Sequence, residues 1–311
     1  MTALLAASLL FSYPQQGDTT YPIKGAPLVT YTIDYEPFWS PDGKRIALIS
    51  SRHGGLKLHV LNLSDAPDNA WKMKQLTFGD TEEDSPAWSP DGKQIAFVSV
   101  RKGVSQICVM NADGTGVKQL TNGAYDNIHP AWTPDSKRVL FDTSRYIEEN
   151  KKKRGDIGGH PTIGEPQDSF IDLASVNRDG SGWKRITTGG GYTYAFYSPD
   201  GKYILHRRPV GEKTQIWLMN ADGSGDHNIS GDETQDGWPS WAPDGKRICF
   251  VRRINGKLCI CAMNRDGSGF IQLTDVLRDS TNPRWSPDGK QILFSRRMGS
   301  IFLSVIPAPP G

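Results

Sequence analysis

The sequence has almost no charge of one sign to spare: 36 lysines and arginines stand against 34 aspartates and glutamates, a balance of +2 over 311 residues. A chain built to hold nucleic acid or another polyanion carries a strong basic field, so no nucleic-acid partner is expected. Long apolar runs are missing too. Residues 1–11, MTALLAASLLF, are apolar and uncharged, but a helix across a bilayer needs about 20 such residues. The stretch suits the apolar region of an export signal, although the usual basic residues before it are absent. Residues 1–25 are read as an N-terminal tail or signal-like segment, and the protein as periplasmic or secreted with no membrane span. Cysteine is scarce: Cys108, Cys249, Cys259 and Cys261 form no disulfide framework. The C-x-C at Cys259 has no second ligand pair near it, so a zinc site is not expected. These thiols are read as small buried side chains in strands. No G-x-S-x-G nucleophile motif occurs, and neither metal nor cofactor is expected.

What is abundant is turn punctuation. There are 33 glycines and 21 prolines, spread at regular intervals, which with short apolar runs between them implies many short strands. Six segments align: PFWSPDGKRIALISSR from Pro37, PAWSPDGKQIAFVSVR from Pro86, PAWTPDSKRVLFDTSR from Pro130, AFYSPDGKYILHRRPV from Ala195, PSWAPDGKRICFVRRI from Pro239 and PRWSPDGKQILFSRRM from Pro283. Their aromatic anchors, Trp39, Trp88, Trp132, Tyr197, Trp241 and Trp285, are spaced by 49, 44, 65, 44 and 44 residues. A period near 44 is the length of one four-stranded propeller blade. Each unit reads as strand A ending on the anchor, an S-P-D-G turn, and strand B as K-x-I-x-F. Strand C then closes in N-x-D-G-S-G, and strand D ends in Q-L-T. In S-P-D-G the proline presets φ, the aspartate bonds back to the backbone and the glycine takes positive φ. The chain is therefore expected to be all-β with almost no helix, a six-bladed β-propeller over residues 26–311. The final Pro-Ala-Pro-Pro-Gly cannot supply an outer strand to blade 6. A segment within residues 26–32 is expected to complete that blade and close the ring.

The W-S-P-D-G-K-x-I-x-F core, followed by N-x-D-G-S-G and Q-L-T, resembles the TolB-type propeller repeat, from about Tyr31 onward and in six copies. The resemblance implies a rigid propeller serving mainly as a binding surface. TolB carries a further domain ahead of its propeller, and nothing in the roughly 30 residues before blade 1 corresponds to it.

Differences between copies point to a candidate site. The A–B and C–D turns are near-identical, whereas the D–A and B–C loops of the other face vary. Three residues before each anchor stand Glu36, Ser85, His129, Tyr194, Trp238 and Asn282, and two positions further upstream Asp34, Glu83, Asn127, Tyr192, Asp236 and Ser280. These are read either as a mixed polar and aromatic ring at a channel mouth or as loop residues capping strand ends. Arginines recur at the same face: Arg52, Arg101 and Arg145 in blades 1 to 3, then pairs that include Arg208, Arg252 and Arg296. They suit an acidic ligand held by guanidinium groups, or ion pairs with loop acids such as Asp84 and Asp236 that stiffen the face. The 65-residue spacing marks an insertion at residues 147–168, between strands B and C of blade 3. The N-x-D-G-S-G turns offer one aspartate each, too few for a calcium loop.

Two functions follow. One is a non-catalytic extracytoplasmic binding or scaffold propeller, a monomer, taking a protein partner or a polar or acidic small ligand such as a saccharide at the loop face. The other is a carbohydrate-active enzyme, a polysaccharide lyase acting on an acidic sugar polymer, for which His129, Tyr194 and Glu36 would supply the acid–base groups.

Overall fold

The computed structural model describes residues 33–63, 73–154, 170–231, 233–298 and 300–309. Strands follow each other as antiparallel neighbours within six separate sheets. Blade 1 is Asp34–Trp39, Arg45–Ser50, Lys57–Asn62 and Met73–Gln75, and blade 5, as a second example, is Asp236–Trp241, Arg247–Ile254, Lys257–Asn264 and Ile271–Gln272. Five sheets have four strands, and that of blade 6 has three among the described residues: Ser280–Trp285, Gln291–Met298 and Ser300–Pro307. The segment expected to complete blade 6, residues 26–32, lies outside the described residues.

Packing closes the ring. Six apolar clusters each join one pair of adjacent blades, and the sixth sets Trp39, Ile46, Leu48 and Leu61 of blade 1 against Leu293 and Val305 of blade 6. The five anchor tryptophans are buried at these seams. Trp132 Nε1 donates across its seam to Ala87 O at 3.1 Å, and Trp241 Nε1 to Phe196 O at 3.0 Å. Strand B arginines lie over the next anchor, Arg45 on Trp88 at 4.5 Å and Arg247 on Trp285 at 4.9 Å, adding cation–π attraction to the apolar contact.

The repeated motifs have local causes. In blade 2, Gly92 N donates to Ser89 O at 2.8 Å, while Asp91 Oδ1 accepts from Lys93 N at 3.1 Å and Ser89 Oγ at 2.6 Å. The turn glycine must have positive φ (69° at Gly92) and lies against the preceding blade's turn proline, here Pro41. Blade 3 carries Ser136 instead, at φ 59°, and its hydroxyl accepts from Asp91 N of blade 2 at 3.0 Å. The last residue of Q-L-T ties strand D to strand C: Thr77, Thr121, Thr187, Ser230 and Thr274 accept from the N–H of Leu58, Ile107, Leu173, Ile216 and Ile260. In the N-x-D-G-S-G turns the aspartate is used up locally, as Asp113 accepts from Thr115 N and Oγ1.

Among the described residues the chain has almost no helix, as expected, and its short helical segment lies in blade 3, whose insertion opens with helix α1, Ile147–Arg154, with Glu148 and Glu149 in the first turn where the helix dipole favours acids. Asn150 is fully buried and anchors the helix, donating to Phe170 O at 2.8 Å and Asp172 Oδ2 at 2.9 Å and accepting from Arg185 and Gly189 N. No helix among the described residues is long and apolar enough to cross a membrane.

Candidate functional site in the central channel

Strand A of every blade enters the channel from the loop face and breaks its ladder at the same place. In blade 1 Tyr35 pairs with Ile49 and Phe38 with Ala47, so Glu36 and Pro37 together oppose one residue. The same register shift occurs in the other five blades. This is a β-bulge, and the proline that follows in five blades has no N–H to lose there. The bulged residues are Glu36, Ser85, His129, Tyr194, Trp238 and Asn282, all at φ between 47° and 54°. Left-handed backbone costs an L-residue about 1–2 kcal/mol, and bulky side chains rarely adopt it.

The six side chains meet in one layer. Asn282 Nδ2 donates to Glu36 Oε1 at 3.5 Å, the His129 and Tyr194 rings stack at 3.6 Å, and Trp238 sets its edge against Tyr194 at 6.0 Å. Glu36, Ser85, His129 and Tyr194 line a chamber of about 20 Å3 whose floor is Phe38, Phe196 and Arg284. His129 Nδ1 donates to the buried carboxylate of Asp142 at 2.7 Å, and the same oxygen accepts from Tyr194 N at 3.0 Å. This fixes the imidazole with Nε2 toward the lumen. Glu36 Oε2 and Ser85 Oγ are buried without a hydrogen-bond partner among the described residues. Burial, then the neighbouring charge of Asp84, pushes the Glu36 carboxyl well above the usual carboxylate range.

Phe38, Phe196 and Arg284 form a waist, because they also line a second, larger chamber toward the turn face. That chamber is about 240 Å3 and is walled by the six anchors and by prolines of the A–B turns. The Arg284 guanidinium lies 4.5 Å from the Phe196 ring centre and 5.4 Å from that of Phe38.

The other sequence candidates lie behind the mouth. Asp34 pairs with Arg52, Asp236 with Arg252 at 2.8 and 2.9 Å, and Glu83 accepts from Thr77 and Thr81 and pairs with Lys57. Asn127 bonds Gln106 and Tyr125 O, and Ser280 is buried. Arg208 pairs with Asp226 and lies over Tyr192 and Trp217, and Arg296 pairs with Asp275 at 2.6 Å. Thus Asp236, Arg208 and Arg252 are joined in ion pairs within their own blades, and Arg296 pairs with the D–A loop leading into its blade, the stiffening arrangement rather than an open guanidinium ring. Among the described residues Asp84 pairs with no arginine and instead faces Tyr35 and Glu36. The cysteines are buried and free, with burial raising Cys249 and Cys261 to about 12 and Cys108 to about 11.

Sequence reasoning missed Arg284 and Asp142, though both stand out by internal comparison. The residue before the anchor is Phe38, Ala87, Ala131, Phe196, Ser240 and then Arg284. The fifth residue of strand B is Ile49, Val98, Asp142, Arg207, Val251 and Ser295. The signal was a lone charge in the first column, Arg284, and a lone acid in the second, Asp142, whose column also holds Arg207.

A family model described as the TolB β-propeller domain matches residues 30–156 and 166–307. The chain belongs to the TolB β-propeller family. Among solved structures it is similar to a TolB from Agrobacterium tumefaciens, with 24% identity, a TM-score of 0.64, and 89% of this chain and 91% of that one covered. TolB from Acinetobacter baumannii gives 22% identity and a TM-score of 0.62, covering 81% of this chain but only 57% of that one. Oligogalacturonate lyase from Vibrio parahaemolyticus gives 13% identity and a TM-score of 0.58, with 89% and 91% covered. At these identities the likeness shows the fold alone. No curated protein matches significantly.

Proposed function

We propose that this TolB-family propeller is a non-catalytic binding or scaffold protein that works outside the cytoplasm as a monomer. Its partner is a protein, or a polar ligand such as a saccharide, gripped at the loop-face mouth of the channel. The observation that carries the reading is the left-handed bulge filled six times by a non-glycine residue. The bulge itself is architecture, since it recurs in every blade. Glycine would relieve its strain at no steric cost, yet each copy has a different side chain aimed at the same layer. Strain retained where a side chain serves a purpose is a mark of binding sites. The loop-side chamber has room for about one water, which favours a partner lying across the mouth and contacting His129, Tyr194, Trp238 and Asn282. Export is part of the proposal and rests on the apolar residues 1–11.

The test is a thermal-shift screen of peptides and acidic oligosaccharides against the wild-type chain, Tyr194→Ala and Trp238→Ala. A true ligand raises the wild-type melting temperature and loses most of that effect in both variants. Ligands whose effect survives both substitutions would place binding elsewhere.

A second reading is supported by the Asp142–His129 pair. A carboxylate orienting an imidazole toward a cavity is the arrangement of a general base. On a uronate polymer, His129 Nε2 would remove the proton next to the carboxylate, the glycosidic C–O bond on the adjacent ring carbon would break as the carbon–carbon double bond forms, and Tyr194 or Glu36 would give a proton to the leaving oxygen. Unsaturated uronate product formed by the wild type and lost in His129→Ala would establish the lyase. Its absence across uronate polymers would leave binding as the function.

A further inference from the structure

Among the described residues Arg284 is a half-buried cation without an anion. It donates to Pro283 O at 3.2 Å, while its Nε is buried with no hydrogen-bond partner among the described residues. Among the described residues no carboxylate lies within ion-pair distance of it, whereas Arg52, Arg208, Arg252 and Arg296 each have one. Glu36 lies near enough to feel its charge but outside ion-pair distance, and burial and Asp84 disfavour the charged form of that carboxyl. Enclosing an unpaired charge is costly, and a protein normally supplies a partner. Here the position opens onto a cavity.

We propose that the turn-side chamber is a binding site for a small monocarboxylic acid with an apolar body, the carboxylate pairing with Arg284 and the body lying among the anchor rings. Volume decides the side of approach. The loop-side chamber is about 20 Å3 and the turn-side chamber about 240 Å3, so only the latter has room for a ligand body. The walls decide the chemistry. Indole rings of Trp39, Trp88, Trp132, Trp241 and Trp285 with turn prolines favour an aliphatic or aromatic body over a sugar or a phosphate. The guanidinium lies beside the Phe196 and Phe38 rings, and a carboxylate takes two parallel hydrogen bonds from a guanidinium edge. This site is at the opposite end of the channel from the proposed partner mouth and does not depend on it.

The five tryptophans at the chamber wall supply the probe. The full chain is titrated with phenylacetate and octanoate, and with phenylacetamide and octanamide as neutral counterparts, following tryptophan fluorescence and heat of binding. The acids are expected to bind saturably and at least roughly tenfold more tightly than the amides. Arg284→Gln should abolish that preference, whereas Arg297→Gln, which removes an exposed positive charge of the loop face, should keep it. If Arg284→Gln does not fold, Arg284→Lys retains the charge, loses the two-pronged geometry and should weaken the acids while still preferring them. Equal affinity for acid and amide, no binding by about 10 mM, or a preference that survives Arg284→Gln would each overturn the proposal. The loop-face reading would stand after any of these, because it is judged by Tyr194→Ala and Trp238→Ala.

Discussion

The two ends of the channel are built from the same six strands and differ in what repetition has done to them. At the turn end every blade contributes an aromatic anchor and nearly the same A–B turn, and the outcome is a smooth apolar wall around about 240 Å3. At the loop end every blade contributes the same left-handed bulge with a different side chain on it. Sameness of sequence makes the wall; sameness of backbone with varied side chains makes the mouth. The residues that break a column are Arg284 at the waist, a charge among apolar or small residues, and Asp142 behind His129, the one acid of its column. They define the chemistry of both chambers.

The largest contrast expected between the two ends is in stability. Trp88 and Trp241 are buried at blade seams, at 2% and 9% exposure, and truncating either to alanine should cost about 3–5 kcal/mol. Trp238 is half-buried at the mouth with its edge against Tyr194. Truncating it leaves the Cβ and its backbone as they were and removes a half-exposed edge contact rather than a seam, so its cost should be no more than about 1–2 kcal/mol. Denaturant unfolding of the three variants measures this directly. Equal losses would mean that the mouth residues are packing elements like the anchors.

A smaller contrast isolates space from backbone conformation. Gly267 in a C–D turn and Gly79 in a D–A loop have nearly the same φ, 85° and 87°. Alanine strains both backbones by about 1–2 kcal/mol. At Gly79 nothing lies within 4 Å of the added Cβ, whereas at Gly267 it would come 2.5 Å from Ile229 O of the preceding blade. Gly267→Ala should therefore lower the unfolding midpoint clearly more than Gly79→Ala. Similar shifts would show that the turn face has slack the structure does not reveal.

These comparisons also mark what could be read from the sequence. The repeat gave fold, blade count and anchors because each rests on a local pattern: turn chemistry, a period of two in strand B, an aromatic every 44 residues. The positions of Glu36, His129, Tyr194 and Trp238 in one layer could be read for the same reason, since equivalent residues of equivalent blades must come together around an axis. What was not legible was pairing between columns. Whether Arg252 faced a ligand or Asp236 depended on side-chain direction across strands A and B. That Asn150 would bury itself under Asp172 and Arg185, turning the start of an inserted loop into helix α1, depended on contacts between residues 20 to 35 positions apart. Arg284 was visible but unread, because the aromatic residue beside it drew the alignment.

The smallest expected effect tests the electrostatic state of the waist. The folded Glu36 carboxyl keeps its proton to higher pH than the unfolded one, whose ordinary value is 4.5. A group with a raised folded value contributes stability below the unfolded value and loses it as pH rises through the folded value. Glutamine at position 36 cannot ionise, so it keeps the neutral form at every pH. The melting temperature of Glu36→Gln minus that of the wild type should be near zero or slightly negative at about pH 4 and should become positive by about pH 8, by a few degrees. Titrations elsewhere cancel in this difference. A flat difference would mean that Glu36 ionises as freely in the fold as outside it. Its carboxylate would then serve as the counter-charge of Arg284, and an added carboxylic acid would gain little from entering the turn-side chamber.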